Sequence, residues 1–330
     1  MTHDKAMRFL QAPIQRELDD PSVREIVINR PAEIGVERGS GWTWRDVPEF
    51  SFRWLDALAL RAARMTNREA DAAHPLANST LPDGQRIHIC RPPATAAETI
   101  AIAIRRPPSA ARKMADPDFL DLFTDTNDPV SKSTRFDAEL ASMLRNVKTD
   151  PRPFFRKARE ARKTIDVVGP TGSGKTDYLK RMMQETADDS RVLTIEGDSE
   201  FGPIGPRNTV NLFFNEQNPA LSAVNIVQTA LRMRPDEVFF QECRGAEAWA
   251  VMRARAAGHR GGGTSWHAEE GKEIDALMLL MREHPPVTAL PDERLRAICM
   301  RYLDIVVSCE RTPSRDFKVS KIWMKGVSDA

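Results

Sequence analysis

Residues 164–180 read TIDVVGPTGSGKTDYLK. An apolar run, a glycine-rich loop and a helix-forming segment follow in that order. Gly169, Pro170, Thr171, Gly172, Ser173, Gly174, Lys175 and Thr176 fit the pattern G-x-x-x-x-G-K-[ST] without a mismatch. The glycines let backbone N–H groups curl around phosphate oxygens, where side chains would obstruct. A helix from about Lys175 points its positive end at the same phosphates. Lys175 adds a full charge toward the β- and γ-phosphates, and the Thr176 hydroxyl can ligate Mg²⁺. ATP with Mg²⁺ is therefore the expected ligand. Asp177 puts a carboxylate next to this anion site. Successive helical residues point about 100° apart, so Asp177 is expected on another face of the helix. There a first-turn acid interacts favourably with the helix dipole.

Strands alternate with helices downstream of the loop. RVLTIEG (191–197), TVNLFF (209–214) and EVFFQE (237–242) read as strands, and 219–232 and 246–257 as helices. This alternation predicts an α/β fold with a wound, mainly parallel sheet. DIVVSCER and KVSKIWMK, near the end, are expected at an antiparallel edge. Hydrolysis needs acids near the metal and the attacking water, and apolar strands end in acids twice. Glu196, Asp198 and Glu200 follow one strand; Glu242 follows another. At a strand's carboxyl end, beside the first strand's loop, such a group can hold Mg²⁺ or orient water. GHRGGGTSWHAEE (258–270) sets three glycines between His259 and His267. Its glycines permit close backbone approach, and His267, ending a strand of the same sheet, is placed to sense a γ-phosphate.

The first third is different. EIVINR (25–30) and EIGVER (33–38) alternate around Pro31 as a hairpin would, 52–65 has helical periodicity, and RIHIC (86–90) and TIAIAIRR (99–106) alternate again. A smaller α+β N-terminal domain over 1–108 is expected. Residues 109–153, rich in Pro, Asp, Ser and Thr, read as a linker with one helix at DAELASMLRNV, and 154–330 as the nucleotide domain.

Composition agrees with two globular domains. Of 330 residues 41% are hydrophobic, enough for a core in each, and the net charge of +1 offers no global basic field for nucleic acid. Cys90, Cys243, Cys299 and Cys309 show no close C-x-x-C spacing, which argues against a zinc or thiol-redox site. The polar N-terminus is not a signal peptide, and no run approaches the roughly 18 apolar residues of a membrane span.

Taken in order, GPTGSGKT, RVLTIEGDSEF, LRMRPDEVFFQECRGAEA and AGHRGGGTSWHAE resemble the ATPases of type II and type IV secretion. The resemblance is strongest to the hexameric traffic ATPases of type IV secretion and conjugation, the eleventh component of Vir-type systems. VREIVINRPAEIGVERGSGW, PLANSTLPDGQRIHICRPPA and TIAIAIRRP resemble that family's N-terminal domain. The resemblance implies a RecA-like C-terminal domain, a homohexameric ring, and nucleotide in the cleft between the two domains. It implies a motor at the cytoplasmic face of the inner membrane that works with other type IV secretion components and drives substrate transfer or pilus assembly.

By motif match, Lys175 and Thr176 bind phosphate and Mg²⁺, Glu196 lies in the acidic box and approaches the metal through water, and Glu242 orients the water. His267 matches the histidine-box residue, and Arg86 and Arg105 match arginines that reach the phosphates. Gln241 stands where the family usually has Gly, and Gly197 where it usually has Asp, which bears on hydrolysis. A type II secretion or pilus-retraction motor fits less well, since many such motors carry a four-cysteine module. A slow nucleotide-gated ring is the alternative that Gly197 and Gln241 motivate. A DNA translocase shares the core, but no basic–aromatic stripe supports direct nucleic-acid binding.

Overall fold

The computed structural model describes residues 3–106, 132–312 and 317–327. The chain opens with α1 (His3–Gln11) and α2 (Gln15–Asp19), then β1 (Glu25–Ile28), β2 (Glu33–Arg38) and β3 (Gly41–Asp46). Next come α3 (Phe52–Arg64), β4 (Leu76–Thr80), β5 (Arg86–Cys90) and β6 (Ala101–Arg105). These strands form one antiparallel sheet of order β3-β2-β1-β6-β5-β4. The hairpin expected around Pro31 forms, with Glu25 opposite Glu37. Ser51 caps α3 by accepting from the Trp54 amide, and Leu55, Leu58, Ala59 and Ala62 bury one face of the helix.

The second part begins with α4 (Lys132–Leu144) and α5 (Arg152–Glu160). The first portion of the expected linker lies outside the described residues. Its expected helix is α4, whose Leu140 shares a core with Phe154 and Ala158 of α5 and with the sheet residues that follow. Then come β7 (Ile165–Val168), α6 (Lys175–Gln184), β8 (Val192–Glu196), β9 (Thr209–Phe213), α7 (Ala223–Arg232), β10 (Glu237–Phe240) and α8 (Glu247–Ala256). The chain continues through β11 (Gly262–Trp266), α9 (Glu273–Arg282), α10 (Asp292–Tyr302), β12 (Ile305–Arg311) and β13 (Phe317–Met324). The order is β13-β12-β7-β11-β10-β8-β9. Every pair is parallel except β12 with β13. Only β13 is an antiparallel edge; β12 runs parallel to β7, because α10 returns the chain to the sheet in the same direction.

β7 is apolar except for Asp166, which is fully buried. Arg255 of α8 meets it with two hydrogen bonds of 2.8 and 2.6 Å, and the Thr264 amide adds a third at 3.0 Å. A buried carboxylate requires such partners, so this pair fixes α8 against the strand that leads into the loop. The glycine run of 261–263 has a comparable role. A Cβ at Gly262 would lie 2.1 Å from the Val238 carbonyl oxygen, and one at Gly263 1.9 Å from that of Ile165. These glycines serve strand-to-strand approach within the sheet.

The small sheet docks on the large one through polar and apolar contacts. Val27, Cys90, Ala101 and Ala103 join the core that holds Val210, Leu212 and Met233. The fully buried Arg191 donates to Asn29 at 2.9 Å and to the Met233 carbonyl at 2.8 Å. Arg234 pairs with Glu37, and Arg207 with Glu33 at 2.8 Å. Beside this seam Glu25 is 2% exposed. Burial pushes its carboxyl up to about 7, against the pull of Arg234, Arg191 and Arg105. An acid whose value is raised in the folded state holds its proton longer than the unfolded chain does. Folding stability therefore falls as pH rises from the usual carboxylate range through about 7. Glu25→Gln should raise the melting temperature by about 2 °C or more at pH 8 and by less at pH 5. Equal shifts at the two pH values in thermal unfolding scans would contradict this.

Candidate functional site

The chain leaves β7 through Gly169, at φ +150°. A Cβ there would sit 2.1 Å from the Cys309 carbonyl oxygen of β12, so the position accepts only glycine. Gly172 and Gly174 take φ +74° and +82°, where L side chains are strained. The Ser173 hydroxyl closes the loop by donating to the Pro170 carbonyl at 2.8 Å. Phe317, opening β13, lies over Gly174, with ring carbons 2.6–2.8 Å from where a Cβ would stand. A larger residue would displace that ring. Gly169 through Thr176 thus form the turn expected of them, and α6 begins at Lys175.

Lys175 is buried, and its ammonium donates to the Gly169 carbonyl at 3.0 Å and the Pro170 carbonyl at 3.1 Å. His267 Nδ1 is 3.2 Å away. On its other side, His267 Nε2 is 2.8 Å from the Glu242 carboxylate. A lysine ammonium only donates, so Nδ1 accepts and the ring proton sits on Nε2, facing the carboxylate. One proton arrangement therefore satisfies the whole line from Lys175 through His267 to Glu242. Burial lowers the Lys175 pKa, and the Glu242 charge opposes that shift. Arg244 closes the line by donating to the second Glu242 oxygen at 2.7 Å. The Arg244–Gly245 turn is itself held, because the Glu247 carboxylate accepts both main-chain amides.

Glu196 has a different environment. It is fully buried at the end of β8. Its carboxylate accepts from the Thr194 hydroxyl at 2.8 Å, Asn211 at 3.1 Å, and the Glu200 and Phe201 amides at 2.9 and 2.7 Å. Four donors occupy both oxygens, so this carboxylate organises the turn that follows it and presents no free oxygen for a metal ligand or its water. Asp198 and Glu200 in that turn are exposed. Their charges act on Arg244, whose pKa is raised first by its bond to Glu242 and further by these two acids.

Arg86 and Arg105 are not brought to the loop within one chain. They face each other across β5 and β6, and Arg105 lies opposite Glu25, which lies opposite Glu37. Glu37 holds Arg234, just before β10 begins, whereas Glu242 lies beyond the other end of that strand. The four residues of the strand alone separate them by roughly 13 Å, at about 3.3 Å per residue. His259 is also remote, at the entry to β11 while His267 is at its exit. Asp177 points away as expected, with its carboxylate taken by Arg181 of the next turn at 2.8 Å and 47% of its side chain exposed. Arg244, Phe317, Thr194 and Asn211 were not foreseen from the sequence. Arg244 sits in the motif ECRG two residues after Glu242, a proximity that could have flagged it; nothing local marks the other three.

Known proteins resemble this chain closely. Residues 131–282 match the family described as Type II/IV secretion system protein. The Type IV secretion system protein VirB11 of Brucella suis biovar 1 is 34% identical over 310 residues, covering 92% of this chain and 85% of its own. The Type IV secretion system protein PtlH of Bordetella pertussis is 32% identical over 319 residues, covering 93% and 92%. A crystal structure of the VirB11 ATPase from the Brucella suis type IV secretion system, in complex with sulphate, superposes with a TM-score of 0.89. That chain is 32% identical, and the match covers 98% of this chain and 95% of that one.

Two substitutions separate the loop's essential and neutral positions. Gly169→Ala should weaken binding of a non-hydrolysable ATP analogue by about tenfold or more, given the strain and the clash with β12. Asp177→Thr should change it by less than about threefold, the scale of a first-turn dipole contact. Isothermal titration calorimetry decides both, and a large gain in affinity from Asp177→Thr would mean that the carboxylate repels the ligand.

Proposed function

Because this chain belongs to the VirB11 family of type IV secretion system ATPases, we propose that it hydrolyses ATP as a motor of such a system. The observation that carries the reading is the Lys175–His267–Glu242 line, which joins the phosphate loop to the ends of β11 and β10. Lys175 directs its donors to the carbonyls of its own loop and to His267. An arriving triphosphate offers that ammonium stronger, charged acceptors. Lys175 then releases His267 Nδ1, and the ring can turn its own donor toward the new charge. Glu242 Oε1 is freed from His267 and becomes available to orient a water for in-line attack, while Arg244 still holds Oε2. ATP binding is in this way reported to the strands that carry the acids.

The oxygen donors present suit Mg²⁺, a hard cation. Thr176 is the hydroxyl that would hold it beside the phosphates, and Asp198 and Glu200 are the exposed acids able to bind its waters; Glu196, fully bonded, would not. The ion supplies neutralisation of charge on the phosphoryl oxygens.

Coupling to motion is supported by the seam between the two sheets. The Phe213 amide donates to the Ala94 carbonyl, and the adjacent Phe214 amide donates to the Glu196 carbonyl. A shift at the Glu196 turn is therefore one residue from a contact with the β5–β6 connection of the N-terminal unit. We divide the chain into an N-terminal unit at 1–108, a linker at 109–153 and a nucleotide unit from 154, with α4 and α5 packed on the latter. In a homohexameric ring at the inner membrane's cytoplasmic face, Arg86 and Arg105 would serve a neighbouring subunit's phosphates, since their own loop lies at the far end of the sheet. Among the described residues no helix is long and apolar enough to cross a membrane, in keeping with a peripheral ring.

Purified protein with Mg²⁺ and ATP tests the reading through phosphate release. Lys175→Ala should abolish turnover and weaken nucleotide binding. Glu242→Gln should keep ATP binding and lose about 100-fold or more in kcat. A wild-type protein inactive even with its secretion partners, or turnover indifferent to Lys175→Ala, would refute hydrolysis. Turnover far below one per minute, with nucleotide-dependent ring closure, would instead favour a gate.

A further inference from the structure

Gly197 and Gln241 follow the ends of the neighbouring strands β8 and β10, and a hydrogen bond joins them. The Gln241 main-chain amide donates to the Ile195 carbonyl at 2.9 Å, continuing the parallel ladder between β10 and β8. The next rung of a regular parallel ladder would run from the Gly197 amide to the Gln241 main-chain carbonyl. Here the Gly197 amide donates at 2.9 Å to Oε1 of the Gln241 side chain instead. The main-chain carbonyl of Gln241 accepts from the Ser265 hydroxyl of β11 at 2.9 Å, and the Cys243 amide donates to the Ser265 carbonyl at 2.7 Å. The side chain thus supplies the rung toward β8 while the main chain turns toward β11. Glu242 leaves the sheet from the middle of this turn, pinned on both sides.

Packing around position 197 is close. A Cβ there would lie 3.2 Å from the Phe214 ring, tighter than ordinary contact. Phe214 is in turn stacked on Phe240, with centroids 5.6 Å apart and planes 16° from parallel. Phe240 immediately precedes Gln241. Gly197, Phe214, Phe240 and Gln241 therefore form one packed and hydrogen-bonded unit at the ends of β8, β9 and β10. Gln241 is 7% exposed, so water competes little for its amide oxygen.

We infer that Gln241 is a positioning residue for Glu242: its side-chain amide takes a ladder rung on Gly197 and so fixes the direction in which Glu242 projects toward the phosphate loop. A glycine at 241 would have no atom to make this bond. This inference rests on the ATPase reading of the site.

The test uses the full chain and two readouts. Gln241→Met keeps the length and apolar packing of the side chain but removes the acceptor. It should speed hydrogen exchange of the Gly197 amide by about tenfold, the loss of one net hydrogen bond, while exchange in 169–176 stays unchanged. In steady-state ATP hydrolysis it should lower kcat at least about fivefold with KM and the melting temperature nearly unchanged. Gln241→Glu, which keeps an acceptor oxygen, should retain slow Gly197 exchange. Gln241→Ala repeats the measurement if methionine disturbs folding. Wild-type exchange in Gln241→Met, equally fast exchange in Gln241→Glu, or an unchanged kcat in an active enzyme would overturn the inference alone. A wild-type protein without Lys175-dependent turnover would overturn the ATPase reading and the positioning role with it.

Discussion

The Lys175 ammonium is a buried charge with three acceptors, drawn from two parts of the site. Two are carbonyls of its own loop, and the third is His267 at the exit of β11. Because the ammonium can only donate, it dictates the tautomer of His267, and that tautomer dictates the contact with Glu242. A single charge thus sets the state of the phosphate loop, the histidine and the acid across three strands. Any stronger acceptor for Lys175 must rearrange all of them. In the proposed mechanism this constraint makes the site detect phosphate as well as bind it.

The rest of the fold keeps this line taut. Asp166 and Arg255, both buried, lock α8 to the strand that feeds the loop. Glu196 gathers the amides of Glu200 and Phe201 and so shapes the turn beyond β8. The glycines at 262 and 263 let β10, β11 and β7 approach closely enough for His267 to span from Glu242 to Lys175. At the opposite end of the sheet, Arg191, Asn29, Arg234 and Glu37 seat the small sheet without touching the phosphate loop. Chemistry and docking are thereby separated by the length of the strands, with β9 the element that touches both.

Much of this was legible in the chain because it is governed locally. The phosphate loop announces itself through glycine spacing, since only glycine takes the φ values found at 172 and 174. Strand alternation and helix period gave most strands and several helices, including the hairpin at Pro31 and the strand–loop–helix around Lys175, but not β3, β4, α1, α2, α5, α9 or α10. Asp177 was legible too, from the 100° step between helical residues. What was not legible depends on residues far apart in sequence. Glu196 reads as a strand-end acid near metal, but Thr194, Asn211 and two later amides consume its oxygens. The glycines at 261–263 read as sites of close backbone approach, and only tertiary pairing shows that the approaching backbones are those of β10 and β7. Arg86 and Arg105 read as phosphate contacts by analogy, and only the docking of the small sheet reveals which end of the strands they occupy. Gln241 and Gly197 look like separate defects until the 2.9 Å bond between them is seen.

The central claim is that Lys175 holds His267 in the tautomer protonated on Nε2 until phosphate arrives. Nitrogen-15 NMR of histidine-labelled protein, with the His267 resonances assigned by a His267→Gln control, reads that directly. In nucleotide-free protein the account predicts a neutral ring with its proton on Nε2, and a change in the His267 signals when an ATP analogue binds. A ring protonated on Nδ1 in the free protein, or signals indifferent to the analogue, would contradict it.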